Sequence, residues 1–245
     1  MPSSINEVCR VQSLVVAGAP AVGRMTDRDL TLVIALELEE DWHTYWWDAG
    51  SWGSPPRLQV DAPEGWHVGP MILPAPECIS TELGPVYGYH GSVRFQVPLR
   101  RPDASPAELK YELDWLVCKE VCLLGMQSDT LRVPAKLPNG GAQDLQRDAN
   151  HLAPARRLRS QLLGDSLWVE HPEGREGPPK LVFRPLDAVS LGRADPSKQD
   201  GGWVFPLDIR RQDFPEERTV TLHGLLIFSD DERRETYAFS TTLNN

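Results

Sequence analysis

Two of the four cysteines stand close together: Cys118-Lys119-Glu120-Val121-Cys122 follows directly on the apolar run Trp115-Leu116-Val117. In a helical or turn conformation this spacing brings the two Cα atoms near the ~5.5–6 Å that a disulfide prefers. A bond closing so short a loop is a weak staple. Chain entropy gives it about 2 kcal/mol, against about 4.4 kcal/mol for the loop that Cys9 and Cys78 would close. Tight local pairs at a strand end serve redox exchange or metal binding, or sit as an inert bridge, and spacing alone leaves all three open. Lys119 lowers a neighbouring thiol pKa and Glu120 raises it, so the flanking charges do not decide. In the metal reading, Cys118 and Cys122 hold Cu(I) with Met126 as a third soft ligand, provided the turn continues helically. Cys9 on a first strand and Cys78 in a loop are read either as a structural bridge or as two buried thiols.

Other chemistries find little support. There is no GxGxxG, P-loop, HExxH or GxSxG motif. His43, His67, His90, His151, His171 and His223 show no i, i+3 or i, i+4 pairing and read as surface or packing residues. The 245 residues carry 25 basic and 35 acidic side chains, a net charge of −10, which repels phosphate backbones and argues against nucleic acid. Val11 to Gly23, the longest uncharged stretch, is too short and too broken by Gln12, Ser13, Gly18 and Pro20 to span a bilayer. It is also a poor secretory leader, because Glu7 precedes it and no compact apolar region follows. We read it as part of a first strand.

The elements that must position the cysteine pair are strands. With 40 % hydrophobic residues the chain can build a core, and 19 Gly plus 22 Pro favour short strands and turns. Arg10–Val16, Asp29–Leu38, Arg57–Val60, Ser92–Pro98, Leu109–Val117 and Ser128–Val133 read as strands roughly ten residues apart, the spacing of a sandwich or barrel. Residues 139–164, rich in Ala, Arg, Gln and Leu and interrupted at Pro154, read as a short helical connector. Strands resume over Leu167–Glu170, Lys180–Leu186, Gly202–Ile209, Arg218–Phe228 and Glu235–Thr242. Six of the eight Trp fall in the first 115 residues. The expectation is therefore an all-β chain of two domains, 1–138 and 165–245, joined by the 139–164 connector.

Three ordered motifs carry a family resemblance. Trp115 to Cys122 resembles the signature of the N-terminal periplasmic domain of DsbD-type thiol:disulfide interchange proteins, in the branch that includes the copper-suppressor protein ScsB. Trp42-His43-Thr44-Tyr45-Trp46 with Gly50, Gly53 and Pro55 resembles the family's W-x-x-Y-W…G-x-x-G-x-P segment. Gly69-Pro70, Pro74-Ala75-Pro76-Glu77 and Tyr87-Gly88-Tyr89-His90-Gly91 resemble its G-P…P-A-P-E…Y-G-Y-x-G segment. The match covers about residues 10–135; residues 165–245 resemble the second β domain of the ScsB branch loosely. Ala49 departs from the family's usual Pro, and Cys78 lies where no cysteine is expected.

The resemblance implies two immunoglobulin-like sandwiches and a protein-disulfide reductase module that needs no cofactor. Electrons would pass from a membrane donor of DsbD or ScsB type, as a separate polypeptide, to thioredoxin-fold or other disulfide-bearing clients. It implies Cys122 as the attacking thiolate and Cys118 as the resolving thiol, with Tyr87, Gly88 and Tyr89 in a loop that shields the pair. The Trp42, Tyr45 and Trp46 cluster reads as core scaffolding. Copper tolerance through the same cysteines, or a non-catalytic interaction scaffold, is the alternative. A dithiol relay is useful where disulfides form, so the expected location is the periplasm or cell surface.

Overall fold

A computed structural model describes residues 2, 4–18, 26–137, 157–175, 177–183, 189–191, 195–209, 220–229 and 234–243. The chain divides into two compact units, Met1–Leu152 and Ala153–Asn245. Among the described residues there is no α-helix, and a single 3₁₀ turn over Ile5–Glu7 precedes the strands.

The first unit contains β1 (Cys9–Ala17), β2 (Asp29–Leu38), β3 (His43–Gly50), β4 (Arg57–Asp61), β5 (His67–Val68), β6 (Glu77–Thr81), β7 (Gly84–His90), β8 (Ser92–Arg100), β9 (Ala107–Cys118) and β10 (Cys122–Val133). One antiparallel sheet runs β1-β2-β8-β5, the other β10-β9-β3-β7-β6 with β4 also on β9. Sequence pattern explains both. β2 (DLTLVIALEL) is central to its sheet and almost wholly apolar because both neighbours and the facing sheet cover it. β9 alternates: Leu109, Tyr111, Leu113, Trp115 and Val117 are buried while Glu108, Lys110, Glu112 and Asp114 are exposed. The two inner faces meet, as Tyr89 of β7 packs its ring 6.4 Å from that of Phe95 of β8.

The second unit contains β11 (Ser160–Leu163), β12 (Ser166–Glu170), β13 (Lys180–Phe183), β14 (Val189–Leu191), β15 (Ser197–Gln199), β16 (Gly202–Ile209), β17 (Val220–Ser229) and β18 (Arg234–Leu243). A sheet β11-β12-β16-β14, with β15 on β16, and a sheet β13-β17-β18 share a core that includes Leu167, Val169, Phe205, Leu222, Leu226 and Phe239. The helical connector is corrected where it is described. Ser160–Leu163 is a strand, because Gly164, at φ +61°, and Asp165 turn the chain back so that Leu163 pairs with Ser166. Residues 139–156, with Pro154, lie outside the described residues.

Candidate functional site

Cys118 ends β9 and Cys122 begins β10, and the two are register partners across the hairpin. They form a disulfide with S–S 2.07 Å and Cα–Cα 4.2 Å. The pair is thus a cross-strand bridge, neither helical nor a simple turn. The three loop residues are held by the Lys119 N–H donating to the Val121 carbonyl at 3.0 Å. At the surface, Lys119 Nζ meets Asp41 Oδ2 at 2.9 Å, and that bond raises the Lys119 pKa.

The two sulfurs have unlike surroundings. Period-2 alternation along β9 sends Val117 into the core and Cys118 to the outward face of its sheet. Cys118 is nevertheless 0 % exposed, while Cys122 is exposed. The cover comes from β3 and β7: Tyr45 and Val86 are fully buried against Cys118, with Ala49, Trp52, Ile79 and Leu116 packed around them. β3 pairs with β9 at His43 and Thr44, after which β4 takes over the β9 edge from Arg57 to Asp61. The chain between carries Trp52, whose ring lies 5.9 Å from Tyr45 and 6.0 Å from His43, and whose indole N–H donates to Thr81 Oγ1 at 2.9 Å. Gly53, at φ +107°, faces the Tyr45 ring so closely that a Cβ would enter it.

Beside the sulfur stands His43, directly opposite Cys118 in register and buried. Its Nε2 lies 3.3 Å from the Tyr45 hydroxyl, and its ring 5.9 Å from that of His90. Desolvation, and then the charge of His90, hold the His43 pKa below its ordinary value. Burial likewise raises the Tyr45 pKa, so its hydroxyl keeps its proton. His90 Nδ1 is 3.1 Å from Glu77 Oε2 at the surface.

Several expected site residues lie elsewhere. Tyr87, Gly88 and Tyr89 form no loop; they belong to β7. Gly88 is opposite Tyr45, with its Cα against the Thr44 carbonyl, where a Cβ has no room. Tyr89 faces the sandwich core, and its hydroxyl donates to the Pro74 carbonyl at 2.6 Å. Tyr87 pairs with Cys78 across β6, and burial pushes its hydroxyl up to about 12. The structural bridge between Cys9 and Cys78 is corrected too. Cys9 lies on β1 opposite Leu38, in one sheet, and Cys78 on β6 in the other, and neither is in a disulfide. Burial pushes the Cys9 thiol up to about 11. Met126 cannot reach the pair as the Cu(I) reading needs. The chain beyond Cys122 is extended, so four residues at about 3.3 Å each carry Met126 away, 72 % exposed and opposite Asp114. Among the described residues no group of three or more His, Cys, Asp or Glu is placed to hold a metal ion.

Residues 12–134, half of the chain, match the family described as "Thiol:disulfide interchange protein DsbD, N-terminal". The chain belongs to this family. Thiol-disulfide interchange is therefore its family-level activity. The fold is similar to the crystal structure of the N-terminal periplasmic domain of ScsB from Proteus mirabilis, at 17 % identity and a TM-score of 0.64, covering 98 % of this chain and 95 % of that one. That identity shows the fold alone: an all-β, immunoglobulin-like DsbD N-terminal architecture. A second likeness, to the reduced DsbD N-terminal domain of Neisseria meningitidis, has 16 % identity and a TM-score of 0.33 over 52 % of this chain and 86 % of that one. No curated protein matches the sequence. Sequence reasoning placed Tyr45 in general scaffolding and missed His43, Trp52 and Val86 as neighbours of the pair. The signal lay in β3, where His43 to Trp46 are all buried in succession, as happens when both faces of a strand are covered.

Proposed function

We propose that this DsbD N-terminal family chain relays electrons as an extracytoplasmic protein-disulfide reductase module, taking them from a membrane donor of DsbD or ScsB type and passing them to oxidised, disulfide-bearing clients. The exposure difference between Cys118 and Cys122 carries the reading. In the reduced state the exposed Cys122 thiolate attacks a client disulfide, forming a mixed disulfide and releasing one client thiolate. Cys118, kept out of solvent, resolves it by attacking Cys122 Sγ. The cover over Cys118 keeps small oxidants and wrong partners from the buried sulfur, while Cys122 stays open to a partner at the hairpin tip. The neighbouring 260 Å³ pocket lined by Pro2, Trp42, Lys119, Glu120 and Val121 gives a client side chain a seat next to it. Among the described residues no helix is long and apolar enough to cross a membrane. A periplasmic or cell-surface location follows from the same logic, because a cytosolic glutathione pool keeps such a pair reduced.

The test is equilibration in graded glutathione buffers with thiols counted by alkylation and mass. The pair should interconvert reversibly in the folded chain; a pair that never oxidises, or stays locked under strong reductant, refutes the relay. With an oxidised thioredoxin-fold client, Cys118→Ser should accumulate a mixed disulfide and Cys122→Ser should form none.

A further inference from the structure

Four neighbouring strands place His90, His43, Cys118 and Cys122 in one cross-strand row on the outward face of the sheet: His90 opposite His43, His43 opposite Cys118, and Cys118 opposite Cys122. We propose that His43 is the general base that takes the Cys118 thiol proton when Cys118 resolves the mixed disulfide on Cys122. The inference rests on the relay reading and names a residue that reading does not use.

The geometry argues for it on three counts. Directly opposed side chains on one sheet face have Cβ atoms about 4.5–5.5 Å apart, so the imidazole and the thiol are immediate neighbours. Cys118 is 0 % exposed, so its proton has no bulk water to go to while the cover is closed. A thiol is mostly protonated at neutral pH, and its thiolate is the nucleophile. His43 is itself 4 % exposed and is held neutral by desolvation and by His90, which leaves a ring nitrogen able to accept. We assign Nε2–H as the donor to the Tyr45 hydroxyl oxygen, 3.3 Å away, so that Nδ1 carries the accepting lone pair. The titratable groups facing the imidazole are Tyr45 from β3, His90 from β7 and Cys118 from β9. Glu77 of β6 stands behind His90, and the Asp41–Lys119 pair lies at the hairpin tip.

The step balances as follows. With Cys122 joined to the client, the Cys118 S–H proton passes to His43. The Cys118 thiolate attacks Cys122 Sγ; the Cys118–Cys122 bond forms as the Cys122–client bond breaks, and the second client thiolate leaves. Two electrons have then moved from the dithiol to the client. His43 holds one proton, which it returns to solvent on the His90 side of the row.

Stopped-flow reaction of the reduced chain, carrying Cys78→Ser, with dithionitrobenzoate separates the steps. Attack by Cys122 releases one coloured thiolate in a bimolecular phase, and resolution by Cys118 releases the second in a concentration-independent phase. With His43 present the second phase should be flat from about pH 6.5 to about pH 8.5, where burial and His90 keep His43 neutral, and fall only at pH below the ordinary imidazole value, since only protonated His43 cannot accept. In His43→Gln it should be about 100-fold slower at pH 7 and rise tenfold per pH unit. A tenfold rise per pH unit in the chain that retains His43 overturns the proposal even if the variant fails to fold. A His43→Gln profile matching the unsubstituted one overturns it alone. Absence of any second phase in the unsubstituted chain overturns the relay as well.

Discussion

Reducing the Cys118–Cys122 bond should lower the stability of the first unit by about 2 kcal/mol and leave it folded. The figure follows from the length of the closed loop: a separation of 4 residues removes little entropy from the unfolded chain, about 2 kcal/mol in the chain-entropy treatment. Native contacts hold the sulfurs in place without the bond. The β9–β10 ladder keeps its register from Cys118/Cys122 to Ala107/Val133, and Cys118 still packs on Tyr45 and Val86. Against a typical total of about 5–15 kcal/mol, the loss is tolerable. Urea titrations of the oxidised and reduced chain, followed by Trp fluorescence, read it out, because six of the eight Trp belong to the first unit. With a slope of about 2 kcal/mol/M the midpoint should fall by about 1 M. A drop above about 4 kcal/mol, or loss of the cooperative transition on reduction, would show that the bond is a structural staple. A relay cannot open a bond its fold depends on.

Two other perturbations follow from the same structure. Stability should decline as pH rises from about 9 to about 11, since the unfolded Cys9 thiol ionises from its ordinary value of 9.0 while the folded thiol holds its proton to about 11. Chemical denaturation across that range should show the slope flattened in Cys9→Ala; an unchanged slope removes Cys9 as the cause. Gly88→Ala should unfold the first unit or cost it more than about 3 kcal/mol, because its Cβ meets the Thr44 carbonyl of the paired strand. Gly91→Ala, at φ +62° with nothing within 4 Å, should cost about 1 kcal/mol, and equal melting of the two variants would refute the close β3–β7 approach.

Legibility in the sequence tracked how cleanly one face of each strand is buried. β9 and β2 read correctly because one alternates and the other is apolar throughout. β16 matched residue for residue over Gly202–Ile209. β3, β6 and β7 were not read as strands. Gly and aromatic residues in β3, and Gly, Pro and Tyr in β7, break alternation, and the outward face of β3 is covered as well as the inward one; β6 (ECIST) is short and mostly polar. Gln161, Leu162 and Leu163 carry good helix formers, yet the Gly164 turn pairs them with β12. The Met126 reading failed for a related reason, since it took the turn after Cys122 to continue as helix. The cysteine pair itself was legible from spacing; its asymmetry was not, because what buries Cys118 arrives from residues 43–86.

That asymmetry also explains why three motifs far apart in sequence occur together. Trp42 to Trp46 lead into and form β3, Tyr87 to His90 form the end of β7, and Trp115 to Cys122 form the β9–β10 hairpin tip. In the sheet these are consecutive neighbours in the order β10-β9-β3-β7. A hairpin disulfide alone presents both sulfurs to the same side, where each meets solvent equally. Laying β3 against β9 for just two registered pairs, at His43 and Thr44, then letting β4 take over that edge, puts Tyr45 and Trp52 over one sulfur and leaves Cys122 exposed. Gly88 permits the β7 approach that brings Val86 into the same cover. The division into an accessible and a sheltered cysteine is therefore made by the strands around the hairpin. Substitutions there should change exchange chemistry without touching a cysteine.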